Sequence, residues 1–412
     1  MGRQFSKQTI RGVNLRGRTV LVRADYNVPL TKKGTISDDL RIRASLPTLE
    51  YLLEQNCKIV IMSHLGRPKG WDMKLSLEVV AKHLAELLGR KVQFVGDCVG
   101  DEVRQAVRRA PLGSVILLEN LRFYPEEEAD DLTFAKSIQR AVRADYFVQD
   151  GFAVAHRAHA STHAIALCVP GVAGFLLEKE YTTITKAMKN PRPPLVAIIG
   201  GAKVSDKIAL IKRLIDKADR ILIGGAMANA FLQYRGCNIG KSVSESGQEQ
   251  VIKDIYDKAE KKVGVDHVDD FLVLPSDVAV APDPYSELPR REVSVDKIAR
   301  DDMALDIGSQ TIEAFTKVLA TAKTVIWNGP LGYTETKIFS IGSARVALAI
   351  AQNKDAVSIV GGGDTADFIL KWDGHDGQSF THVSTGGGAS MELMAGKKLP
   401  GIESLLDVYG LR

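Results

Sequence analysis

Cysteine and tryptophan are scarce in this 412-residue chain, at four and three residues. The cysteines, Cys57, Cys98, Cys168 and Cys237, lie far apart and form no CxxC pair, which excludes a disulfide framework and points to buried free thiols in a reducing compartment. Aromatic residues amount to only 6%, too few to interleave with basic residues as a stacking platform for nucleic acid. Charge of one sign is not in excess either. The 54 basic and 50 acidic residues leave a net charge of +4, and no global field would recruit nucleic acid or a membrane. No apolar run reaches the roughly 18 residues that a bilayer span needs, and the polar opening MGRQFSKQ has no signal-peptide core, so a cytoplasmic protein is expected. The first six residues fit the M-G-x-x-x-[ST] pattern for N-myristoylation. That pattern is short, a single acyl chain binds membrane only marginally, and nothing else in the chain points to a membrane.

What is present is an ordinary globular composition, 45% apolar and 25% charged, in a chain long enough for roughly two or three domains. Short apolar runs alternate with helical patterns, the signature of βα units and mostly parallel sheets. In the first half the expected strands are TVLVRA (19–24), KIVIMS (58–63), KVQFV (91–95), SVILLEN (114–120) and DYFVQD (145–150). A second series follows the proline-rich KNPRPP: LVAIIG (195–200), RILIGG (220–225), FLVLP (271–275), TVIWNGP (324–330), AVSIVGGG (356–363) and THVSTGGG (381–388). Between the two, FLLEKEYTTITKAMK reads as a connecting helix that ends at the prolines. The apolar spacing of LSLEVVAKHLAELLG predicts a helix stopped by Gly89. Two series imply two α/β domains, and no long-period repeat is visible.

Three strands of the second series run into glycines followed by a helix start: GGAK (200–203), GGGDTAD (361–367) and GGGAS (386–390). Glycine lets a backbone approach a ligand closely, and a helix N-terminus offers unpaired N–H groups to an anion. One such loop often does no more than close a tight turn. Three on the carboxyl edge of one parallel sheet suggest a polyphosphate cradle. The stretch GGAKVSDK adds Lys203 and Lys207, four apart on an expected helix. Asp364, at the head of its helix, is an N-cap or a Mg²⁺ ligand among phosphate oxygens, or both. Two other patterns fail. GCNIGKS (236–242) has three residues between its glycines where Walker A has four. GGGDTA satisfies GxGxxG/A, but no acidic residue follows about 20 positions on to hold a ribose, which disfavours an NAD-dependent dehydrogenase.

Basic residues of the first half sit where apolar runs end: Arg23, Arg41, His64, Arg67, Arg122 and Arg157. Arginine binds carboxylate and phosphate through two parallel hydrogen bonds, so several converging at one sheet edge would hold a small, multiply anionic molecule. A polyanion- or nucleic-acid-binding protein is the competing reading of these arginines, and it lacks a basic stripe interleaved with aromatics. His156, His159 and His163 have helical spacing that could suggest a metal, but no acid or cysteine joins them and AHRAHAST reads as a loop.

The motifs VRADYNVP, RIRASLPTL, SHLGRP, LLENLRF, AHRAHAS, GFLLEKE, GGAKVSDK, WNGPLG, GGGDTA and VSTGGGASMELMAGKKLPG follow one another along nearly the whole chain. In that set and order the sequence closely resembles the phosphoglycerate kinase family. The resemblance implies two doubly wound, Rossmann-like parallel-sheet lobes joined by a hinge helix. The expected parts are an N-terminal 3-phosphoglycerate-binding lobe (1–176), the connecting helix (177–194), a C-terminal Mg-nucleotide-binding lobe (195–391) and a final segment (392–412) returning to the first lobe. It also implies reversible in-line phosphoryl transfer between ATP and the carboxylate of 3-phosphoglycerate after lobe closure. The protein would be a monomer with small-molecule substrates and no nucleic-acid or membrane partner.

Carried over by motif, Asp25, Tyr26 and Asn27 would contact the glycerate end, beside Leu65 and Gly66 of SHLGRP, while Arg41, His64, Arg67, Arg122 and Arg157 surround its carboxylate and phosphate. Lys203 and Lys207 would face the nucleotide phosphates, Gly308 lies in the matching LDIG, and Glu335 would hold the ribose. Gly362, Gly363, Asp364 and Thr365 would carry phosphate and Mg²⁺, with Asp364 the metal residue. The implied catalytic set is Arg41, Lys203, Gly363 and Gly386. Three departures from the family pattern, Ala226, Ser276 and Tyr26, bear on nucleotide preference rather than on the reaction. An acceptor carboxylate is already ionised at neutral pH and needs no general base, which suits a site rich in cations.

Overall fold

The computed structural model describes residues 5–285 and 289–408. The first four residues of the myristoylation pattern and residues 409–412 of the expected returning segment lie outside these. The chain forms two compact units, Met1–Thr182 with Lys398–Arg412, and Thr183–Lys397.

The first unit is built on a parallel sheet of β1 (Thr19–Arg23), β2 (Lys58–Met62), β3 (Val92–Val95), β4 (Val115–Leu118), β5 (Tyr146–Gln149) and β6 (Gly171–Ala173), in the order β3-β4-β2-β1-β5-β6. Helices cover both faces of such a sheet, so its central strands read as unbroken Val, Ile and Leu runs rather than as alternating ones. Val20, Val22, Ile59, Ile61, Val115, Leu117 and Val148 form the core on one face. The chain winds away from β1 to one side and from β5 to the other, so the carboxyl ends of these two strands flank a topological switch point.

The second unit contributes β7 (Leu195–Ile199), β8 (Arg220–Ile223), β9 (Leu272–Val273), a separate antiparallel group β10 (Asp277–Ala281), β11 (Arg291–Ser294) and β12 (Met303–Ile307), then β13 (Thr324–Asn328), β14 (Val357–Gly361) and β15 (His382–Val383). The parallel sheet has the order β15-β14-β13-β7-β8-β9, with its switch point between β7 and β13. Both units are therefore parallel-sheet α/β structures, as expected.

Two features differ from expectation. The three-residue β6 and the antiparallel β11-β10-β12 sheet had no sequence signal. Their strands are alanine-rich (DVAVA) or exposed and charged (REVS), and a proline-rich stretch separates them. In FLVLP, Phe271 closes a short helix and leaves only two residues of strand.

The connecting helix runs Phe175–Lys189, and Gly89, at φ +60°, caps the helix Glu78–Leu88 as expected. The division between the units falls within the connecting helix, at Thr182 and Thr183. Its first turn is anchored in the first unit. Phe175 N–H donates to Thr48 Oγ1 (2.9 Å) and Leu176 N–H to Asp150 Oδ1 (3.0 Å). Asp150 is buried, and burial pushes its carboxyl up to about 7. After Lys398 the chain again lies on the first unit, with Leu406 N–H donating to Gly171 C=O (2.9 Å). Among the described residues no helix is long and apolar enough to cross a membrane. The cysteines are free, and burial pushes the Cys57 thiol up to about 11.

Candidate functional site

In the first unit, Asp25 and Asn27 follow β1, His64 to Arg67 follow β2, Arg122 follows β4 and Arg157 lies beyond β5. All are loops at the carboxyl edge of one sheet. The Asp25 carboxylate pairs with Arg41 Nη1, which comes from the start of the helix Leu40–Glu54. Asn27 Oδ1 accepts from Gly66 N–H (2.8 Å), and Gly66 C=O accepts from Arg122 Nη1 (2.7 Å). Gly66 sits at φ +66°, where a side chain would be strained, so this loop can lie flat between the two. Leu65 is buried and bonded through both its N–H and its C=O to the Asn120 side chain.

His64 is 3% exposed. Its Nδ1 faces Arg23 Nη2 at 3.1 Å, and a guanidinium can only donate, so Nδ1 is the acceptor and the proton sits on Nε2. Burial, then the charges of Arg23, Arg122 and Arg41, hold its pKa well below the usual histidine value. The 3.8 Å approach of Nδ1 to Asp25 Oδ1 is therefore not an ion pair. The same interactions bring Arg41, His64 and Arg122 into one field, and Arg122 in turn feels Arg157 and Arg67. Arg67 is exposed and makes no ion pair among the described residues.

Arg23, which the sequence grouped with the anion-binding cations, is not one of them. It is 1% exposed and donates to Ser161 Oγ (2.8 Å) and Ala24 C=O besides His64. Ser161 Oγ passes this on to the buried Glu127 (2.6 Å). Arg23 thus positions His64 from within the core. Tyr26 also faces inward, with its hydroxyl on Ser45 (3.0 Å) and its N–H on Ser63. The three histidines His156, His159 and His163 serve separate partners: His163 meets Asp130 (2.7 Å), His159 lies 3.7 Å from Glu127, and His156 stands beside Arg157.

In the second unit the loops after β7, β8, β13 and β14 press together at the switch point. Gly201, Gly225, Gly329 and Gly362 all have φ between +66° and +99°. A Cβ on Gly225 would lie 2.7 Å from Gly201 N, and one on Gly329 would meet Gly200 C=O and Lys207 Nζ. Only glycine fits a contact this close. The helices Gly225–Tyr234, Gly363–Asp373 and the seven-residue Gly388–Met394 start with no side-chain cap, so their first N–H groups stay unpaired with side chains. Gly362 occupies the cap position of the second. Asp364 is therefore not the N-cap but an exposed carboxylate in the first turn.

Lys203 and Lys207 do not share a helix as expected. The helix begins at Ile208, after a single 3₁₀ turn at Ser205–Lys207. Lys203 is exposed on the preceding loop, where it faces the charge of Glu245. Lys207 turns inward and donates to Asn328 Oδ1 (2.6 Å) and C=O (3.0 Å) at the end of β13. Burial pushes its ammonium down to about 8, against the opposing pull of Asp364 and Asp206. Thr365 Oγ1 accepts from Gly329 N–H (2.7 Å), and the Gly386 N–H donates to Ser384 Oγ (3.1 Å), so both brace the loops.

Asn328 went unnoticed in the sequence. It is 1% exposed, its Oδ1 holds Lys207, and its Nδ2 has no partner among the described residues. A buried, unsatisfied donor aimed at the Gly362 loop fits an absent anion. Gly308 and Glu335 lie elsewhere in this unit. Gly308 follows β12 and packs on Asp277, which caps the next helix through Gln310 and Thr311. Glu335 is exposed on the loop after β13, tied to β12 through Tyr333 N–H and Leu305 C=O (2.7 Å).

The family model for phosphoglycerate kinase matches residues 10–397. The chain belongs to the phosphoglycerate kinase family. It is 47% identical over 406 residues to the phosphoglycerate kinase of Dictyoglomus turgidum, covering 98% of this chain and all of that one. Against that of Moorella thermoacetica it is 47% identical over 404 residues, with the same coverage. The solved phosphoglycerate kinase of Coxiella burnetii superimposes with a TM-score of 0.83 at 36% identity, over 97% of this chain and 98% of the other. That of Pyrococcus horikoshii gives the same score and coverage at 32% identity. The chain is accordingly a transferase, a kinase of glycolysis, and its reaction is reversible phosphoryl transfer.

Proposed function

We propose that the first unit binds 3-phosphoglycerate or 1,3-bisphosphoglycerate, that the second binds ATP or ADP with Mg²⁺, and that the phosphoryl group passes in line between nucleotide and carboxylate. The observation that carries this reading is the arrangement of donors on the first edge. Its cations are fixed donors, and its His64 is kept neutral by burial and by Arg23, which donates to its Nδ1. Such an edge is made to hold an anion, not to abstract a proton, and an ionised carboxylate acceptor needs no base.

Arg41, oriented by Asp25, and the Nε2–H of His64 would hold the carboxylate end, with Asn27 beside them. Arg67, Arg122 and Arg157 would take the phosphate. In the second unit Lys207 and the free Nδ2 of Asn328 would hold the inner nucleotide phosphates, and Lys203, on its exposed loop, would reach the group in transit. Gly308 and Glu335 would receive the nucleoside. Tyr26, Leu65, Thr365 and Gly386 would act by fixing the loops.

The difficulty of the reaction is repulsion between anions and the charge that spreads over the equatorial oxygens in transfer. Arg41, Lys203 and the first N–H groups of the helix at Gly363 would share that charge. Asp364 offers an exposed carboxylate, a hard-oxygen ligand that fits Mg²⁺ held otherwise by phosphates and water. Mg²⁺ would add neutralisation of the phosphate oxygens. Transfer requires both bound substrates to be brought together, which also keeps water from the acyl phosphate. The enzyme would work as a cytoplasmic monomer.

The test is ADP release from ATP and Mg²⁺ with and without 3-phosphoglycerate. Release only with the acceptor is expected. Comparable hydrolysis without it would contradict the reading.

A further inference from the structure

The strands of the first sheet begin at the end opposite the anion-binding loops. Along the edge strand β3 and across the starts of β4, β2 and β1, which are neighbours in that order, lie two adjoining cavities that share Gln105 and Arg109. One, of about 870 Å³, is lined by Lys58, Arg104, Arg108, Arg109 and Arg143 and by no acid. The other, of about 650 Å³, adds Arg90 and Lys91, with Glu102 its one acid. Seven cations thus face one carboxylate, a larger excess than the +4 of the whole chain.

Internal partners neutralise only part of this charge. Arg104 pairs with Asp101 (2.8 Å), and nearby Asp145 accepts from Thr19 N–H and lies 3.6 Å from Arg18. Among the described residues, Arg90, Lys91, Arg108, Arg109 and Arg143 make no ion pair. Arg90 and Arg109 reach only the neutral oxygens of Gly113 and Gln105. Lys58 ties the end of the helix Gly100–Arg109 to β2 through Val107 C=O (2.8 Å). A cation in a last helical turn complements the helix dipole, roughly half a charge at each end. That accounts for Arg108 or Arg109, and not for the rest. A concave surface of one sign concentrates its potential and raises the local concentration of counter-ions.

A spacing of about 4.8 Å spreads these four strands over about 14 Å, so the complementary anion is elongated and charged along its length. Arginine forks suit phosphate. Phe94 is the one aromatic residue in either lining, which leaves no platform for stacked bases. We infer that this groove binds a chain of linear inorganic polyphosphate, apart from the catalytic loops of the same unit.

The test is calorimetric titration of the full chain with long-chain polyphosphate, with ADP and 3-phosphoglycerate saturating. Binding that weakens steeply with salt is expected. The Arg108→Gln/Arg143→Asn variant should lose about 10-fold in affinity for each arginine, with kcat, KM and urea midpoint unchanged. Asparagine tolerates the left-handed backbone of residue 143, at φ +54°. Arg90→Gln/Lys91→Gln, at the other end of the groove, should weaken binding similarly and serves if the first pair unfolds. Unchanged affinity in a folded double variant overturns the inference. So does binding abolished by the substrates, or tighter binding of duplex DNA of equal charge.

Discussion

Nucleotide binding to the second unit should take up a proton at mildly alkaline pH, and that proton should go to Lys207. Burial holds this ammonium down to about 8 in the free protein. A phosphate chain placed against it would supply the missing negative charge and return its pKa to the ordinary range or above. Lys207 is then about half neutral at pH 8 and about nine-tenths neutral at pH 9 before binding, and charged after it. The uptake is roughly 0.5 and 0.9 protons per nucleotide at these pH values, and about 0.1 at pH 7. Terminal phosphates titrate near about 6 and add little in this range. Calorimetry with ADP in two buffers of equal pH and different ionisation enthalpy measures the number directly. Lys207→Met should remove the uptake. No uptake at pH 9, or full uptake in Lys207→Met, would refute the placement. The same shift carries a stability term. The folded pKa lies below the unfolded one, so the unfolded chain holds more protons between about 8 and about 10.4, and stability rises with pH across that window, by at most roughly 3 kcal/mol.

Three further outcomes are expected. Arg41→Ala should lower kcat by about 10²- to 10³-fold with nucleotide affinity unchanged in calorimetry, and unchanged turnover would remove Arg41 from the catalytic set. Gly329→Ala, at φ +99° and facing Gly200 and Lys207, should cost about 1–3 kcal/mol in urea unfolding and weaken ADP binding. Asp150, raised to about 7, leaves the folded state holding an extra proton between about 4 and 7, so its stabilising effect is complete below that window and is lost as pH rises through it. Asp150→Asn should therefore gain on the natural protein between pH 4.5 and 7.5, by at most about 4 kcal/mol, and a flat difference between their urea midpoints would contradict this.

The parallel sheets were legible because strands buried on both faces leave continuous apolar runs, as in TVLVR and LVAII. The antiparallel sheet was not, because DVAVA is short, rich in alanine and set among prolines, and its partner REVS is exposed. At the candidate site, sequence order located the loops but not the direction of their side chains. Arg23 and Arg41 each stand near the end of an apolar run, yet Arg23 turns into the core toward Ser161 and Arg41 turns to Asp25. Lys203 and Lys207 have helical spacing, but the helix starts only after them, so one stays exposed while the other reaches Asn328. Asn328 carries no charge and matches no phosphate pattern, so only its buried, unpartnered nitrogen marks it.

The central claim is acyl-phosphate chemistry on a carboxylate. The most direct measurement is hydroxylamine trapping of the product formed from ATP, Mg²⁺ and 3-phosphoglycerate. The account predicts a hydroxamate in amounts equal to the ADP released, and none when any one component is left out. Folded protein that binds ATP and yet forms no hydroxamate with all three present would contradict it.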